Sequence, residues 1–234
     1  MLESIWPDVE IKPRPTAPAA EPYVRSYVFM RLAIGVLGFL LAPLIVFLEP
    51  ILFDGQPFPR GSLSAYYYSG VRELFVGMLC AIGVFLVIYK IADRTRESRV
   101  STYAGIAVIV VALFPTGKPG SAVLPTPLQN LFGEGLVEGI HFFFAGTFIF
   151  LLGLICRYFG KYRPERRRLH YICAVLIALA LALAVIAGKT GEPDKGILIA
   201  EWIAVWAFAI SWLATVELDL IFGRLSSKAS AAAE

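Results

Sequence analysis

Long apolar runs separated by short polar segments dominate the pattern of this chain of 234 residues. A helix needs roughly 20 apolar residues to cross a bilayer core that is about 30 Å thick. Six runs approach that length, so the pattern predicts six transmembrane helices. Their predicted ranges are about 28–48, 71–89, 100–114, 137–159, 169–187 and 197–222.

Polar segments precede and follow these runs. Residues 1–27 are mostly polar and rich in proline, which predicts a flexible cytoplasmic tail. Residues 223–234 predict a second such tail. Between the third and fourth runs, Thr126-Pro127 is typical of a helix start, and it predicts a short interfacial helix there.

Basic residues are distributed unevenly between the two sides of the predicted bundle. The two tails, the segments after the second and fourth runs, and the helix ends that adjoin them hold 16 of the 21 Lys and Arg residues. Because cytoplasmic loops carry the excess of Lys and Arg, both termini are predicted to lie inside the cell. The fold class is therefore all-α: a polytopic membrane protein with a six-transmembrane-helix bundle and an N-in/C-in orientation.

Composition supports this class. Hydrophobic residues make up 58% of the chain and charged residues 17%, whereas soluble domains carry about 45–50% and about 25%. Membrane topology accounts for the basic residues, so no nucleic-acid partner is predicted. The three cysteines lie in or near apolar runs, which argues against a disulfide framework.

Small residues recur at helical spacing in two of the predicted helices. Such faces allow close helix packing, either within the chain, between two copies in a homo-oligomer, or against a partner membrane protein. The two faces consist of Gly35, Gly38 and Ala42 in the first helix and Gly139, Gly146 and Gly153 in the fourth.

Ionisable residues gather near the predicted outer ends of the helices. Each is costly at membrane depth and therefore needs a physical reason. We expect them to meet in a polar pocket open to the outside; the alternative is a set of pairs that only fix helix positions. The candidate ligand-binding residues are Arg72, Glu73, Glu138, His141, Glu201 and Ser64.

His141 is the foremost candidate for chemistry, because histidine changes charge near neutral pH. Glu138 lies three residues earlier on the same helix face, and Glu201 completes the catalytic candidates. A mixed zinc site of these residues with Glu73, and a nucleophilic site pairing Ser64 with His141, are further alternatives. Phosphate-binding, dinucleotide and haem motifs are absent from the sequence. No metal and no cofactor are therefore predicted.

A polar stripe continues inward from Glu201 along the last predicted helix. Its members are Glu201, Ala204, Phe208, Ser211, Thr215 and Asp219. Their partly polar character predicts that the stripe faces the bundle interior rather than lipid.

Three segments resemble bacterial membrane proteins of the "domain of unknown function 998" family. SLSAYYYSGVRELFVGMLCAIGVFLVIYK, AGIAVIVVALFPTGKP and EGIHFFFAGTFIFLLGL are similar to the second, third and fourth helices of that family. The resemblance spans roughly residues 28–222. It implies a multi-pass protein of the bacterial inner membrane and draws attention to Ser64, Arg72, Glu73, Pro115, Thr116 and His141. The family is similar in helix count to DRAM/Sfk-type proteins, which implies a link to lipid organisation and no defined reaction.

Three functions remain open from the sequence. The first is a protein that binds a lipid or small ligand at the outer pocket, or that serves as a partner subunit of a membrane complex. The second is an intramembrane lipid hydrolase or transferase that uses His141 and neighbouring carboxylates. The third is a small proton-coupled transporter that uses the stripe from Glu201.

Overall fold

Seven α-helices make up most of the described structure. The computed structural model describes residues 21–53, 59–89, 96–120, 123–190 and 195–216, and no strand occurs among them. Short 3₁₀ turns occur at Ser64–Tyr68 and Pro164–Arg166. The helices are α1 (Glu21–Leu52), α2 (Arg72–Ile88), α3 (Arg96–Leu113), α4 (Pro127–Phe132), α5 (Glu134–Tyr162), α6 (Arg167–Thr190) and α7 (Gly196–Leu213).

The six long helices form a closed ring. Each packs on the next in the order α1, α2, α3, α5, α6 and α7, and α7 packs back on α1. Helices α1 and α7 are antiparallel, since Gly35 lies against Leu213 whereas Phe47 lies against Trp202. The short α4 packs on α5. The ring joins the first and last helices of the chain, so its closure depends on contacts between residues far apart in sequence.

Four helical segments are long and apolar enough to cross a membrane, which indicates a membrane-embedded protein. Ser98–Leu113 forms a shorter apolar helix, and α2 has 17 residues. The four segments are Ser26–Leu52, Glu134–Tyr162, Pro164–Lys189 and Gly196–Leu213.

Two predicted boundaries are wrong. The chain is already helical at Glu21, so residues 21–27 do not belong to the predicted tail. The stacking of Tyr27 on Tyr89, with ring centroids 5.6 Å apart, favours this longer helix. Towards the other end of the chain, α7 ends at Leu213 and a turn follows; residues 217–222 of the last predicted helix lie outside the described residues. Arg166 Nη1 donates to the Ala214 carbonyl at 2.9 Å and so takes up a helix-terminal acceptor.

The predicted short helix is confirmed as α4. Thr126 Oγ1 accepts from the Gln129 backbone N–H, and Gln129 Oε1 accepts from the Thr126 backbone N–H. This reciprocal capping box, with Pro127 in the first turn, accounts for a helix of only six residues. Gly133, at φ 85°, then separates α4 from α5 in a conformation that favours glycine.

The small-residue faces of α1 and α5 differ in what packs against them. In α1, a side chain at Gly35 would overlap Leu213, so this glycine permits the close contact between α1 and α7. Of the three glycines on the α5 face, Gly153 has a close neighbour among the described residues, because a Cβ there would lie 3.4 Å from Ile177. Gly139 and Gly146 have no atom within 4 Å of such a Cβ among the described residues. The prediction of tight packing within the chain is therefore wrong for these two.

The two ends of the ring differ in chemistry. We call the end that carries α4 and the 3₁₀ turn at Ser64–Tyr68 the α4 end. The opposite end, with the turn at Pro164–Arg166 and its flanking arginines, is called the basic end. The predicted tails at 1–20 and 223–234 lie outside the described residues.

Candidate functional site

The α4 end is organised by three consecutive tyrosines in the 3₁₀ turn. A 3₁₀ helix has three residues per turn, so three successive side chains point in three directions. Tyr66 and Tyr67 are buried and Tyr68 is half-buried. Each phenol contacts a different part of the bundle, whereas a lipid-facing aromatic belt would expose the rings.

Tyr66 lies beside a buried ion pair between the end of α1 and the following loop. Arg60 Nη2 donates to Glu49 Oε1 at 2.6 Å, and Arg60 Nε donates to both carboxylate oxygens at 2.9 and 3.0 Å. The Glu49 and Arg60 side chains are 2% and 6% exposed. The Arg60 guanidinium also lies 5.8 Å from the centre of the Tyr66 ring. This pair holds the loop against the top of α1.

Tyr67 holds Arg72 at the first turn of α2. Arg72 Nη2 donates to the Tyr67 hydroxyl at 2.8 Å, and the guanidinium carbon lies 4.3 Å from the ring centre. A guanidinium this close to an aromatic face gains a cation–π interaction. The residue itself is exposed, so its charge is fixed in position while remaining accessible.

Tyr68 connects the turn to the segments that follow α3. Its hydroxyl donates to the Thr116 carbonyl at 2.9 Å and accepts from Gln129 Nε2 at 2.9 Å. Burial raises the pKa of Tyr68 above its ordinary value. The phenol therefore stays protonated at neutral pH and remains a donor to Thr116.

Glu201 and Ser64 are brought together, as the sequence predicts for two members of one site. Glu201 Oε2 accepts from the Leu63 backbone N–H at 2.6 Å, and Ser64 Oγ donates to Glu201 Oε1 at 3.4 Å. One turn earlier on α7, the Leu198 backbone N–H donates to the Gly61 carbonyl at 3.0 Å. Glu201 thus fastens the loop to the start of α7.

His141 completes the C-terminal end of α3. Its Nδ1–H donates to the Phe114 carbonyl at 2.6 Å, and the residue is 1% exposed. Pro115 has no N–H and interrupts the helical hydrogen-bond pattern at this point; the Phe114 carbonyl takes the imidazole N–H as its donor. A buried carbonyl without a partner is costly. His141 therefore has a structural role at a helix end that proline has broken.

The remaining carboxylates of the predicted set lie apart from these groups. The Glu138 carboxylate lies against Gly117, where a built Cβ would come within 2.6 Å of Oε1. Glu73 is exposed and has no hydrogen-bond or ion-pair partner in the part of the chain that the structure describes. Lys118 pairs with Glu134 at 2.6 Å near the start of α5.

The predicted residues therefore occupy three places rather than one pocket. Ser64 and Glu201 meet at α7, Arg72 and Glu73 lie at the top of α2, and Glu138 and His141 lie beside the end of α3. Among the described residues no three His, Cys, Asp or Glu side chains are arranged to hold a metal ion, so the mixed zinc alternative is wrong. Ser64 and His141 hydrogen-bond to different partners, so the structure does not pair them as a nucleophile and base.

The stripe that begins at Glu201 does face the interior along its described length. Ala204, Phe208, Ser211 and Thr215 are all buried. Ser211 Oγ hydrogen-bonds His170 Nδ1 at 2.9 Å, and Thr215 Oγ1 accepts from buried Arg31. Asp219, the last predicted member, lies outside the described residues.

The structure adds buried charged residues that are not among the candidates predicted from the sequence: the Glu49–Arg60 pair and Arg31. Glu49 stands at the end of an apolar run, and Arg60 lies in the loop that follows it. Their opposite charges, both on the predicted outer side, are the sequence feature that indicates such a pair. Arg31 lies within the first apolar run, where a charge also needs a reason.

Two cavities at the α4 end meet at Tyr67 and Arg72. The larger, of about 500 Å³, runs between α2 and the end of α3 and is lined by Tyr67, Arg72, Glu73, Val76, Gly77, Ala112 and Leu113. The smaller, of about 360 Å³, is lined by Tyr67, Tyr68, Ser69, Arg72, Val123, Leu124 and Thr126. Ligand sites typically have volumes of about 300–1,000 Å³. We call the larger cavity the α2–α3 groove; it joins two exposed charges to an apolar wall.

Comparison with known proteins gives no relative for this chain. No family model matches it, no curated protein matches it, and no solved structure matches it.

Proposed function

We propose that the chain crosses a bacterial inner membrane six times, with both termini and the basic end in the cytoplasm. Four long apolar helices and two shorter ones alternate in direction around the ring, and 16 of 21 basic residues belong to one side. We also propose membership of the "domain of unknown function 998" family, on the three similar segments.

Cysteine labelling in intact cells tests this orientation. Gly120→Cys lies at the α4 end and Glu165→Cys at the basic end, and both positions are exposed. In a background without the three native cysteines, a membrane-impermeant maleimide should label Gly120→Cys in intact cells. It should label Glu165→Cys only after permeabilisation. The reverse order of labelling contradicts the orientation.

We propose that this protein binds a phospholipid of the outer leaflet in the α2–α3 groove. The observation that carries the proposal is the position of Arg72, which is exposed, held by Tyr67 and placed at the head of a groove with an apolar wall. Arginine binds phosphate through several N–H donors at once. Gly77 lies five residues further along α2, about 7 Å deeper, and leaves open space beside the helix.

Exposed apolar residues near the groove support a lipid occupant. Leu124, which lines the adjoining smaller cavity, is 85% exposed, and Leu131 in α4 is 73% exposed. Apolar side chains at the rim of a membrane-embedded bundle favour contact with acyl chains over contact with water. The groove would therefore open towards lipid rather than towards bulk solvent.

Native mass spectrometry of protein purified in mild detergent tests the lipid site. Arg72→Gln removes the phosphate contact, and Gly77→Phe fills the groove with a ring. Each should lower the fraction of protein that retains phospholipid by about tenfold, because charge-assisted hydrogen bonds are among the stronger ones. Gly139→Phe is the control, since Gly139 is also an open helical glycine but lies on α5. Undiminished phospholipid in both groove variants would refute the site.

The other functions in the sequence analysis remain predictions. Service as a partner subunit is favoured by one observation: Gly139 and Gly146 present an α5 face on which no described residue packs closely. Hydrolase or transferase chemistry at His141 has less support, because its Nδ1 is engaged with the Phe114 carbonyl. Proton-coupled transport would require Glu201 to release the Leu63 and Ser64 donors.

A further inference from the structure

We propose that the α2–α3 groove prefers a zwitterionic phospholipid whose headgroup ends in a primary ammonium, such as an ethanolamine phospholipid. The inference rests on the lipid binding proposed above and adds the headgroup class. It follows from the presence, at the head of the same groove, of one cation held in place and one carboxylate that has no partner among the described residues.

Of the described residues that line the groove, only Arg72 and Glu73 are charged. They are adjacent in sequence, and both are exposed. They do not pair with each other: Arg72 donates to Tyr67, and Glu73 has no hydrogen-bond or ion-pair partner among the described residues. A ligand that offers both a phosphate and a cation would satisfy both charges.

Arg72 is positively charged and held in place, so it receives the phosphate of the ligand. One guanidinium nitrogen donates to the Tyr67 hydroxyl at 2.8 Å, and the guanidinium carbon lies 4.3 Å from the centre of the Tyr67 ring. The guanidinium has five N–H donors in all, so others remain for phosphate oxygens. Because the side chain is already held, less conformational entropy is lost on binding.

Glu73 discriminates between headgroups. Its carboxylate can accept hydrogen bonds from the three N–H groups of a primary ammonium, whereas a quaternary ammonium has none to donate. The aromatic face of Tyr67 that could attract a quaternary ammonium is partly occupied by Arg72. A glycerol headgroup adds no positive charge to offset the carboxylate, so an anionic phospholipid gains only the contact with Arg72. Ethanolamine is the headgroup that matches both residues.

Competition between lipids in native mass spectrometry tests the preference. Detergent-purified protein is mixed with equal amounts of an ethanolamine, a choline and a glycerol phospholipid that share the same acyl chains. The wild type should retain the ethanolamine lipid about threefold over either competitor, the size expected of one exposed ionic contact. Glu73→Gln should abolish this preference by lowering retention of the ethanolamine lipid to the level of the other two.

Two variants separate the headgroup preference from the lipid site itself. Glu165→Gln removes one exposed carboxylate at the basic end and should leave the preference unchanged. Arg72→Gln should weaken retention of all three lipids. Equal retention of the three lipids by wild type, or an unchanged preference in Glu73→Gln, overturns the headgroup inference while leaving lipid binding intact. Failure of wild type to retain any phospholipid overturns both.

Discussion

At the scale of single residues, Glu49 and Arg60 form a buried ion pair between the end of α1 and the loop that follows it. Both residues are over 90% buried, and three N–H···O contacts of 3.0 Å or less join them. Arg60→Gln leaves the Glu49 carboxylate buried without its counter-ion. We expect a loss of about 3 kcal/mol in the free energy of unfolding, measured by denaturant titration in detergent micelles.

A matched variant shows whether burial is the cause. Arg72→Gln removes the same charge from an exposed position on the same side of the bundle. It should change the free energy of unfolding by less than about 1 kcal/mol. Equal losses in the free energy of unfolding for Arg60→Gln and Arg72→Gln would mean that the contribution of the Glu49–Arg60 pair to stability does not depend on its burial.

His141 offers a second prediction at the residue scale. If this side chain completes the end of α3, its loss exposes the Phe114 carbonyl to an apolar surrounding. His141→Leu should then destabilise the protein by about 1–3 kcal/mol, whereas His141→Gln, which keeps an N–H donor, should lose less. Thermal unfolding in detergent measures both. Phospholipid retention in the groove should remain near the wild-type level in each.

A catalytic role for His141 predicts a different outcome. In that case His141→Leu and His141→Gln would change the lipid composition of cells to the same extent, even though their stabilities differ. A lipid profile altered by His141→Gln, with wild-type stability, would favour the enzymatic hypothesis over the structural one.

At the scale of elements, α2 and α3 approach each other through two glycines. A Cβ at Gly105 would lie 2.5 Å from the Gly83 carbonyl oxygen and 2.9 Å from the Val87 backbone nitrogen. Backbone atoms cannot move aside cheaply, so Gly105→Ala must separate the helices. We expect a loss of about 1–3 kcal/mol in the free energy of unfolding, together with altered lipid retention, because the groove lies between these helices.

The control for this prediction is an open glycine in another helix. Gly146 in α5 has no atom of the described residues within 4 Å of a built Cβ. Alanine has the higher helix propensity, so Gly146→Ala should be neutral or stabilising by up to about 1 kcal/mol. A similar loss in both variants would point to a general effect of glycine replacement rather than to the α2–α3 contact.

The helices and turns also differ in how well local sequence patterns predict them. The capping box at Thr126 is a local arrangement, so the sequence predicts α4 correctly. At the end of α7, the Ala214 carbonyl accepts from Arg166, which is 48 residues away in sequence and lies in another turn. Likewise, Tyr66, Tyr67 and Tyr68 are consecutive in sequence, but the 3₁₀ turn places two of the three rings inside the protein.

At the scale of the whole molecule, closure of the ring depends on the contact between α1 and α7. Gly35 lies against Leu213 and Trp212, and the Trp212 Nε1–H donates to the Arg31 carbonyl at 2.9 Å. Gly35→Leu should hold the two helices apart and destabilise the bundle by about 1–3 kcal/mol or more. Tryptophan fluorescence should shift to longer wavelength as buried Trp212 becomes exposed.

Val36 provides the matched position for this experiment. It is the next residue on α1, and 38% of it is exposed. Val36→Leu adds a methylene on the outward side and should leave both fluorescence and unfolding unchanged. If Val36→Leu lost as much stability as Gly35→Leu, the loss in Gly35→Leu would not come from separation of α1 and α7.

The amino-acid sequence by itself determines the all-helical class, the apolar segments and the position of α4. These depend on hydrophobic periodicity and local capping, which act over one or two helical turns. It also places the candidate polar residues correctly near one end of the bundle. Only the tertiary structure decides that these residues separate into three groups. Whether Glu201 meets Ser64, or His141 meets Phe114, is set by how helices distant in sequence rotate and pack against one another.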